Sequence, residues 1–367
     1  MADAVIPLFR PSCTDLEISY VTEVLRSGWW GMGPKTEELE EKFARYVGAD
    51  HAVAVNSATM ALQLTVQALG IDGDIIMPAL TFASTALAAR HNSCRIVFAD
   101  VDEDALCLDW ADVTRRRMGP QTGAVIPVWY GGTVNVGSLE VRDGSGRPLP
   151  VIEDCAHAAG SAGAGRQGIA ACWSFHAVKN LACGDGGMIT TSDPELAARL
   201  RRLRWCGIDR STWDRDRTRY SWEYDIREAG HKAHMNDITA AIALAQLERL
   251  DGMNAARRGI VCQYLDGLAG LDWMRLPSWR GGSAWHLFTV RVPAAQRNGF
   301  IGHMASRGVT AGVHYKPLNT YPIFGSAVLP VTGRVWQTLV TLPLYPDMTE
   351  SDAGRVIDAA RTWKGRG

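Results

Sequence analysis

No two of the eight cysteines (13, 94, 107, 155, 172, 183, 206 and 262) are spaced as C-x-x-C, and none falls into a metal-finger pattern. A disulfide framework or a zinc site is therefore not expected, and the thiols that lie in apolar runs read as small hydrophobes in a reduced, cytoplasmic chain. Charge of one sign is also lacking: 38 basic and 39 acidic residues leave a net charge of -1, with no basic block. The electrostatic footprint of a nucleic-acid binder is missing, and the clusters Arg115-Arg116-Arg117 and Arg201-Arg202 read as solvated helix ends. No apolar run reaches the roughly 18 residues of a membrane span. The amino terminus, with Asp3 and Pro7, lacks the basic-then-apolar order of an export signal, so neither export nor a membrane is expected. Internal repeats and low-complexity tracts are absent, and no local motif orders a Ser/His/Asp triad.

What is present is a chain of 367 residues, 47% hydrophobic, long enough for two domains at roughly 100 to 200 residues each. Thr14 to Leu25 reads as an amphipathic helix opened by a capping box of Thr14 with Glu17, and Thr36 to Val47 as another, closed by Gly48. Val53 to Val55 is a β-branched strand running into Asn56-Ser57-Ala58-Thr59, after which Met60 to Leu69 has helical periodicity and stops at Gly70. Ile75 to Met77, Arg95 to Phe98, Ala124 to Val128 and Val151-Ile152 are further short apolar runs separated by helices or turns. This alternation predicts an α/β fold around a mostly parallel, buried sheet. From Ala240 to Leu250 an Ala- and Leu-rich helix follows, then an alternating strand from His286 to Val292 and a last helix near Asp352 to Trp363. The division expected is a large domain, 1–245, and a smaller α+β domain, 246–367. The Trp-rich stretch from Trp205 to Tyr224 reads as a lid or an oligomer contact. Asp102, Glu103, Asp104 and Asp109 lack metal-ligand spacing and read as a solvated loop; no metal site is expected.

Lys179 carries the chemistry. It stands among small and apolar residues, in Ser174-Phe175-His176-Ala177-Val178-Lys179-Asn180-Leu181-Ala182-Cys183-Gly184, where desolvation would make its amine a nucleophile. Asp154 follows a buried strand and so belongs at the carboxyl end of the sheet, where open α/β folds bind ligands. The helix start at Ala58-Thr59 presents N–H groups and a hydroxyl to an anion, and Ser174 adds a second hydroxyl. Phe82, after another strand, supplies a flat face. An anchor for an aldehyde, a partner for a ring nitrogen, a phosphate cradle and a ring face together describe a pyridoxal 5′-phosphate site. Taken one at a time, Asp154 and Ser57-Ala58-Thr59 read as helix caps and Phe82 as core; their combination with Lys179 is what speaks for a cofactor.

At these residues the chain resembles a known family, the DegT/DnrJ/EryC1/StrS sugar aminotransferases, fold-type I enzymes of pyridoxal phosphate (PLP). The resemblance runs from Ser27-Gly28 and Gly33-Pro34 through Asn56 to Leu62, Pro78 to Phe82, Glu153 to His157, Ser174-Phe175-His176 and Met235-Asn236-Asp237 to Leu342-Pro343-Leu344-Tyr345-Pro346. It implies that Lys179 binds the cofactor covalently, Asp154 pairs with its ring nitrogen and Phe82 stacks on it. By the same likeness Ala58, Thr59 and Ser174 hold the phosphate, His157 meets the 3′ oxygen, and His314-Tyr315 face the substrate. Asn236 would reach the phosphate of a neighbouring subunit, which implies a homodimer with shared sites. Three positions depart from the family: Asp185 stands where Glu is frequent, His234 where Arg is common, and His157 where Gln is frequent.

The activity implied is transfer of an amino group from glutamate or glutamine to a keto-sugar, nucleotide-linked, in antibiotic or cell-surface amino-sugar biosynthesis, with pyridoxamine 5′-phosphate as the intermediate form. A keto-cyclitol of an aminoglycoside pathway is the alternative acceptor, and no residue decides between them. A PLP-binding regulatory protein without turnover is the alternative of another class. Retention of Lys179 speaks against it, and against the dehydratases of the family, in which histidine replaces the lysine.

Overall fold

The computed structural model describes residues 5–135, 141–143, 145–210, 213, 222–278 and 281–365, with only the backbone of Arg116. Helix α1 (Asp15–Ser27) opens at the expected capping box, in which the Thr14 N–H donates to Glu17 at 2.8 Å, and closes at Gly28 with a left-handed φ of 74°. Helix α2 (Pro34–Val47) begins two residues earlier than periodicity predicts, because proline suits the first helical turn, and Gly48 closes it. Strand and helix then alternate: β1 (His51–Val55), α3 (Ala58–Leu69), β2 (Asp74–Pro78), α4 (Ala83–His91), β3 (Arg95–Ala99), β4 (Thr122–Val125), β5 (Ile152–Asp154), β6 (Ala170–Ser174) and β7 (Gly187–Thr191). Parallel bridges Val125–Val151 and Val128–Asp154 join the β3-β2-β4 and β5-β6-β7-β1 sets into one layer of order 3-2-4-5-6-7-1. The sheet is mostly parallel, as expected; β7 alone opposes its neighbours.

Both faces of the layer are covered. On one, Leu39 and Phe43 of α2 and Leu244, Leu247 and Leu250 of the long helix Asp237–Gly267 pack with Trp129, Trp173 and Phe175. On the other, Leu62, Leu64 and Val66 of α3 meet Ala86 and Ala89 of α4 and Leu200 and Leu203 of the helix Pro194–Leu203. Each fully buried Leu, Val or Phe side chain stabilises the layer by roughly 1.5–3 kcal/mol. The long helix extends far beyond the Ala240 to Leu250 stretch expected from sequence, and its later residues Ile260, Val261 and Tyr264 join a separate core. That core holds the antiparallel pair β8 (Phe288–Arg291) and β9 (Leu339–Leu342) and the helices Arg297–Ser306 and Glu350–Arg361. Ile6 joins it too, donating its N–H to Gly308 O at 2.8 Å.

The acidic cluster differs from the solvated loop expected. Glu103 pairs with Arg291 at 3.1 Å and Arg334 at 2.6 Å, and Asp104 pairs with Arg275. Asp102 accepts from the Asp104 N–H of its own loop, and Asp109 caps the short helix Trp110–Asp112, accepting from Ala111 N–H. The arginines are distant in sequence, so only the fold brings them to the acids. Arg201 and Arg202 lie in the last helical turn, as expected, but Arg202 reaches Glu228 at 3.2 Å. Within the Trp205 to Tyr224 stretch, residues 211, 212 and 214–221 lie outside the described residues. Lys232 Nζ sits 4.4 Å above the Trp205 ring, and Trp222 is exposed. Among the described residues no helix is long and apolar enough to cross a membrane, and no group of three or more His, Cys, Asp or Glu side chains is placed to hold a metal ion.

One buried acid pins the start of α2 to the start of the long helix. Asp237, 1% exposed, accepts from the N–H groups of Gly33 (2.8 Å), Lys35 (3.0 Å) and Thr36 (3.0 Å) and from the Thr36 hydroxyl (2.7 Å). It caps α2 from across the sequence, where a negative charge also complements the helix dipole. Asp237→Ala is expected to lower the unfolding free energy by about 2 kcal/mol, measured by denaturant titration, and Asp237→Asn by less.

Candidate active site

Strands β6 and β7 form a hairpin whose connecting loop carries Lys179. The loop is closed by Phe175 N–H to Gly186 O (2.9 Å) and Ala177 N–H to Gly184 O (2.7 Å), and Gly184 takes the left-handed φ of 93° that this turn requires. Lys179 itself is half-buried, with its N–H donated to His176 O at 2.8 Å. Its amine has no hydrogen bond or ion pair among the described residues. Burial drives its pKa down to about 8 from 10.5, with the Asp154 carboxyl opposing that shift. The amine is therefore poised to lose its proton near neutral pH.

Asp154 closes β5 and is 4% exposed. Its Oδ2 accepts from Thr85 at 2.8 Å and its Oδ1 from the Ala156 N–H at 3.1 Å. Burial raises its pKa, while those two donors and the charge of Lys179 act in the other direction. Glu153, fully buried, faces the other side of the strand and accepts from Trp129 Nε1 (2.7 Å) and from Gly165, Gln167 and Gly168 N–H, which fixes the loop leading into β6. Thr85 and this use of Glu153 were not visible in the sequence, since neither contact follows from a local motif.

The register of the sheet assembles the anion end. Gly187 stands opposite Val55 on one side and Ser174 on the other, so the end of β1, the Ser174 hydroxyl and the start of α3 meet at one place. Ser57 caps α3, its hydroxyl accepting from Met60 N–H at 3.2 Å, and Ala58 and Thr59 begin the helix, where the first N–H groups have no intrahelical acceptor. The Thr59 hydroxyl lies 2.6 Å from that of Ser84. A Cβ on Gly187 would come within 2.6 Å of the Ser57 carbonyl carbon and 2.7 Å of Ala58 N, so only glycine lets β7 lie against this helix start.

The rim is aromatic. Phe82 is 61% exposed, unusual for so large an apolar ring, and lies 6.1 Å from the ring of Tyr315. His157 Nδ1 accepts from Gly131 N–H at 3.3 Å, which leaves the hydrogen on Nε2 to be donated to the Tyr315 hydroxyl at 3.0 Å. Burial, with Lys179 and His314 nearby, holds His157 neutral; burial also raises the Tyr315 phenol, which stays protonated. His314 Nδ1 lies 2.9 Å from the Thr341 hydroxyl, and its pKa falls to about 4 through burial and the charge of Lys179. Lys179, Asp154, His157, His314 and Tyr315 thus share one site. Asn236 does not join them: it is exposed and caps the long helix, accepting from Thr239 N–H at 2.9 Å. His234 packs edge-on against Trp205 at 4.5 Å, and burial with the nearby Lys232 and Arg204 lowers its pKa to about 4, so it is neutral at pH 7.

The donor set fits a pyridoxal phosphate: an amine without a protein partner, a buried acid, an open helix start and a bare aromatic face. Such a set serves an enzyme that anchors an aldehyde cofactor on a lysine, and comparison with known proteins agrees. The chain belongs to the DegT/DnrJ/EryC1/StrS aminotransferase family, which it matches over residues 11–361. Its fold is similar to the aminotransferase TlmJ from Streptoalloteichus hindustanus (32% identity, 98% of each chain covered, TM-score 0.88). It is likewise similar to the sugar aminotransferase CalS13 from Micromonospora echinospora (29% identity, 98% of this chain and 100% of that one, TM-score 0.88) and to Spr1654 from Streptococcus pneumoniae in its PLP form (28% identity, 98% of each chain, TM-score 0.87). The chain is a PLP-dependent sugar aminotransferase of the α/β, fold-type I class.

Gly187→Ala tests the anion end. Overpacking by about 1–3 kcal/mol predicts cofactor binding weakened roughly tenfold or more, read by titrating PLP into the cofactor-free protein, with helical content unchanged by circular dichroism.

Proposed function

We propose that this enzyme moves an amino group from glutamate or glutamine to the keto group of a nucleotide-linked sugar. The observation that carries the reading is Lys179: a half-buried amine of lowered pKa, without a protein partner, facing a buried acid. Bound beside it, PLP supplies an aldehyde that accepts the donor's nitrogen and a ring that takes up the electron pair of the broken C–H bond. Lys179 Nζ then takes the proton from the donor's α-carbon, and in the second half-reaction it returns a proton to the carbon that becomes the amine-bearing carbon of the sugar. Asp154, oriented by Thr85 and Ala156, would hold the ring nitrogen protonated. Ala58, Thr59 and Ser174 would hold the phosphate, Phe82 would stack on the ring and His157 would border it, while His314 and Tyr315 would face the substrate.

The same reading makes the enzyme a homodimer with shared sites. Its support is Asn236, whose amide oxygen is used in the helix cap while its NH2 group has no acceptor among the described residues. It also keeps the division at residue 246, supported by the separate core that gathers around β8 and β9, and a cytoplasmic setting, supported by cysteines that are mostly buried as small hydrophobes.

Lys179→Ala should fold normally yet form aminated sugar at least about a thousandfold more slowly, measured by mass spectrometry with glutamate and a panel of nucleotide-linked keto-sugars. Amination by this variant at the normal rate would remove the lysine from the mechanism. Wild-type turnover of keto-cyclitols alone would replace the acceptor.

A further inference from the structure

The residue that follows the lysine is held more completely than the lysine itself. Asn180 is 3% exposed, and every hydrogen-bonding group of its amide but one lone pair is used: Nδ2 donates to Asn254 Oδ1 (2.8 Å) and Ala284 O (2.7 Å), and Oδ1 lies 3.1 Å from His286 Nδ1. An amide oxygen only accepts, so His286 carries its hydrogen on Nδ1. Asn254 extends the network, donating to Ala159 O at 3.1 Å and accepting from Arg257 at 3.3 Å. These bonds tie the loop of Lys179 to the long helix, to the turn after β5 and to the segment that enters β8. The His286 ring is itself clamped, stacked on Phe9 at 5.6 Å and lying 4.5 Å from the ring of His157.

We propose that His286 is a positioning residue for Lys179, which fixes the amide of Asn180 and through it the path of the loop that presents the amine. The inference rests on the reading of Lys179 as the anchor. The two acceptors on one side of Asn180 and the one donor on the other specify a single orientation of its amide. Without the His286 donor, Oδ1 would be buried unsatisfied, and the state that relieves it is a loop opened to water. An opened loop partly hydrates Lys179, whose amine then regains part of its ordinary basicity. The groups that face this amine are the Asp154 carboxyl from β5, His157 from the turn after it, His286 ahead of β8 and His314 ahead of β9.

The test uses the full-length protein freed of cofactor, in which acetylation of Lys179 by acetic anhydride is followed against pH by peptide mass spectrometry. The wild-type midpoint is expected at about 8. His286→Gln, whose amide is displaced from the Nδ1 position, should raise the midpoint by about one unit. In the holoenzyme the same variant should lower kcat roughly tenfold with the KM for the amino donor within about twofold. His286→Asn, whose Nδ2–H takes the place of Nδ1–H, should restore both values, and Asn180→Ser should reproduce the defect if His286→Gln does not fold. A wild-type midpoint and kcat in His286→Gln would overturn the proposal, as would a folded His286→Asn as impaired as His286→Gln. Failure of the anchor reading shows separately, as turnover retained by Lys179→Ala.

Discussion

A lysine amine has to be desolvated enough to lose its proton near neutrality and still be open to a ligand, and most of the architecture around β5, β6 and β7 follows from that constraint. Hydration favours the ammonium form, so the amine is placed in a hairpin loop at the end of a sheet buried on both faces, with its pKa brought down to about 8. The opposing term is the nearby carboxyl of Asp154, which favours the charged amine. Burial is the larger of the two; His157, His286 and His314, each held neutral by its own burial, add no charge on either side.

Such a site needs polar groups inside the protein, and each is costly unless satisfied. The chain meets this by using buried carboxylates as caps for segments remote in sequence. Asp237 holds the start of α2, Glu153 the glycine-rich turn before β6, and Asp100 the N–H groups of Val331 (2.8 Å) and Thr332 (2.6 Å) ahead of β9. All three stand at or near the ends of strands and helices. Rigidity there is what a shared set of catalytic groups requires, since an error of an ångström in placement costs rate.

Much of this was legible in the residues. The Thr14–Glu17 capping box and the stops at Gly48 and Gly70 mark their helices within a residue or two, because caps are local chemistry. The α/β alternation and the mostly parallel sheet follow from short apolar runs such as Ile75 to Met77. β6 and β7 left weak signals, since Ala170, Ala171 and Gly187 have little strand propensity and become strands through pairing with their neighbours. The ion pairs of Glu103 could not be read, because their arginines lie more than a hundred residues away. Lys179, Asp154 and Phe82 were singled out from residue type beside a strand or a turn. Thr85, Asn180 and His286 were not, since what ties them to their neighbours is hydrogen bonding across the fold.

The most direct measurement is to reduce the purified holoenzyme with borohydride, digest it and map the cofactor by mass spectrometry. A pyridoxyl phosphate mass on the peptide that contains Lys179, and no labelling of any other lysine, is the expected result. Labelling of a different lysine, or none with cofactor bound, would contradict the placement of the chemistry at the β6–β7 loop.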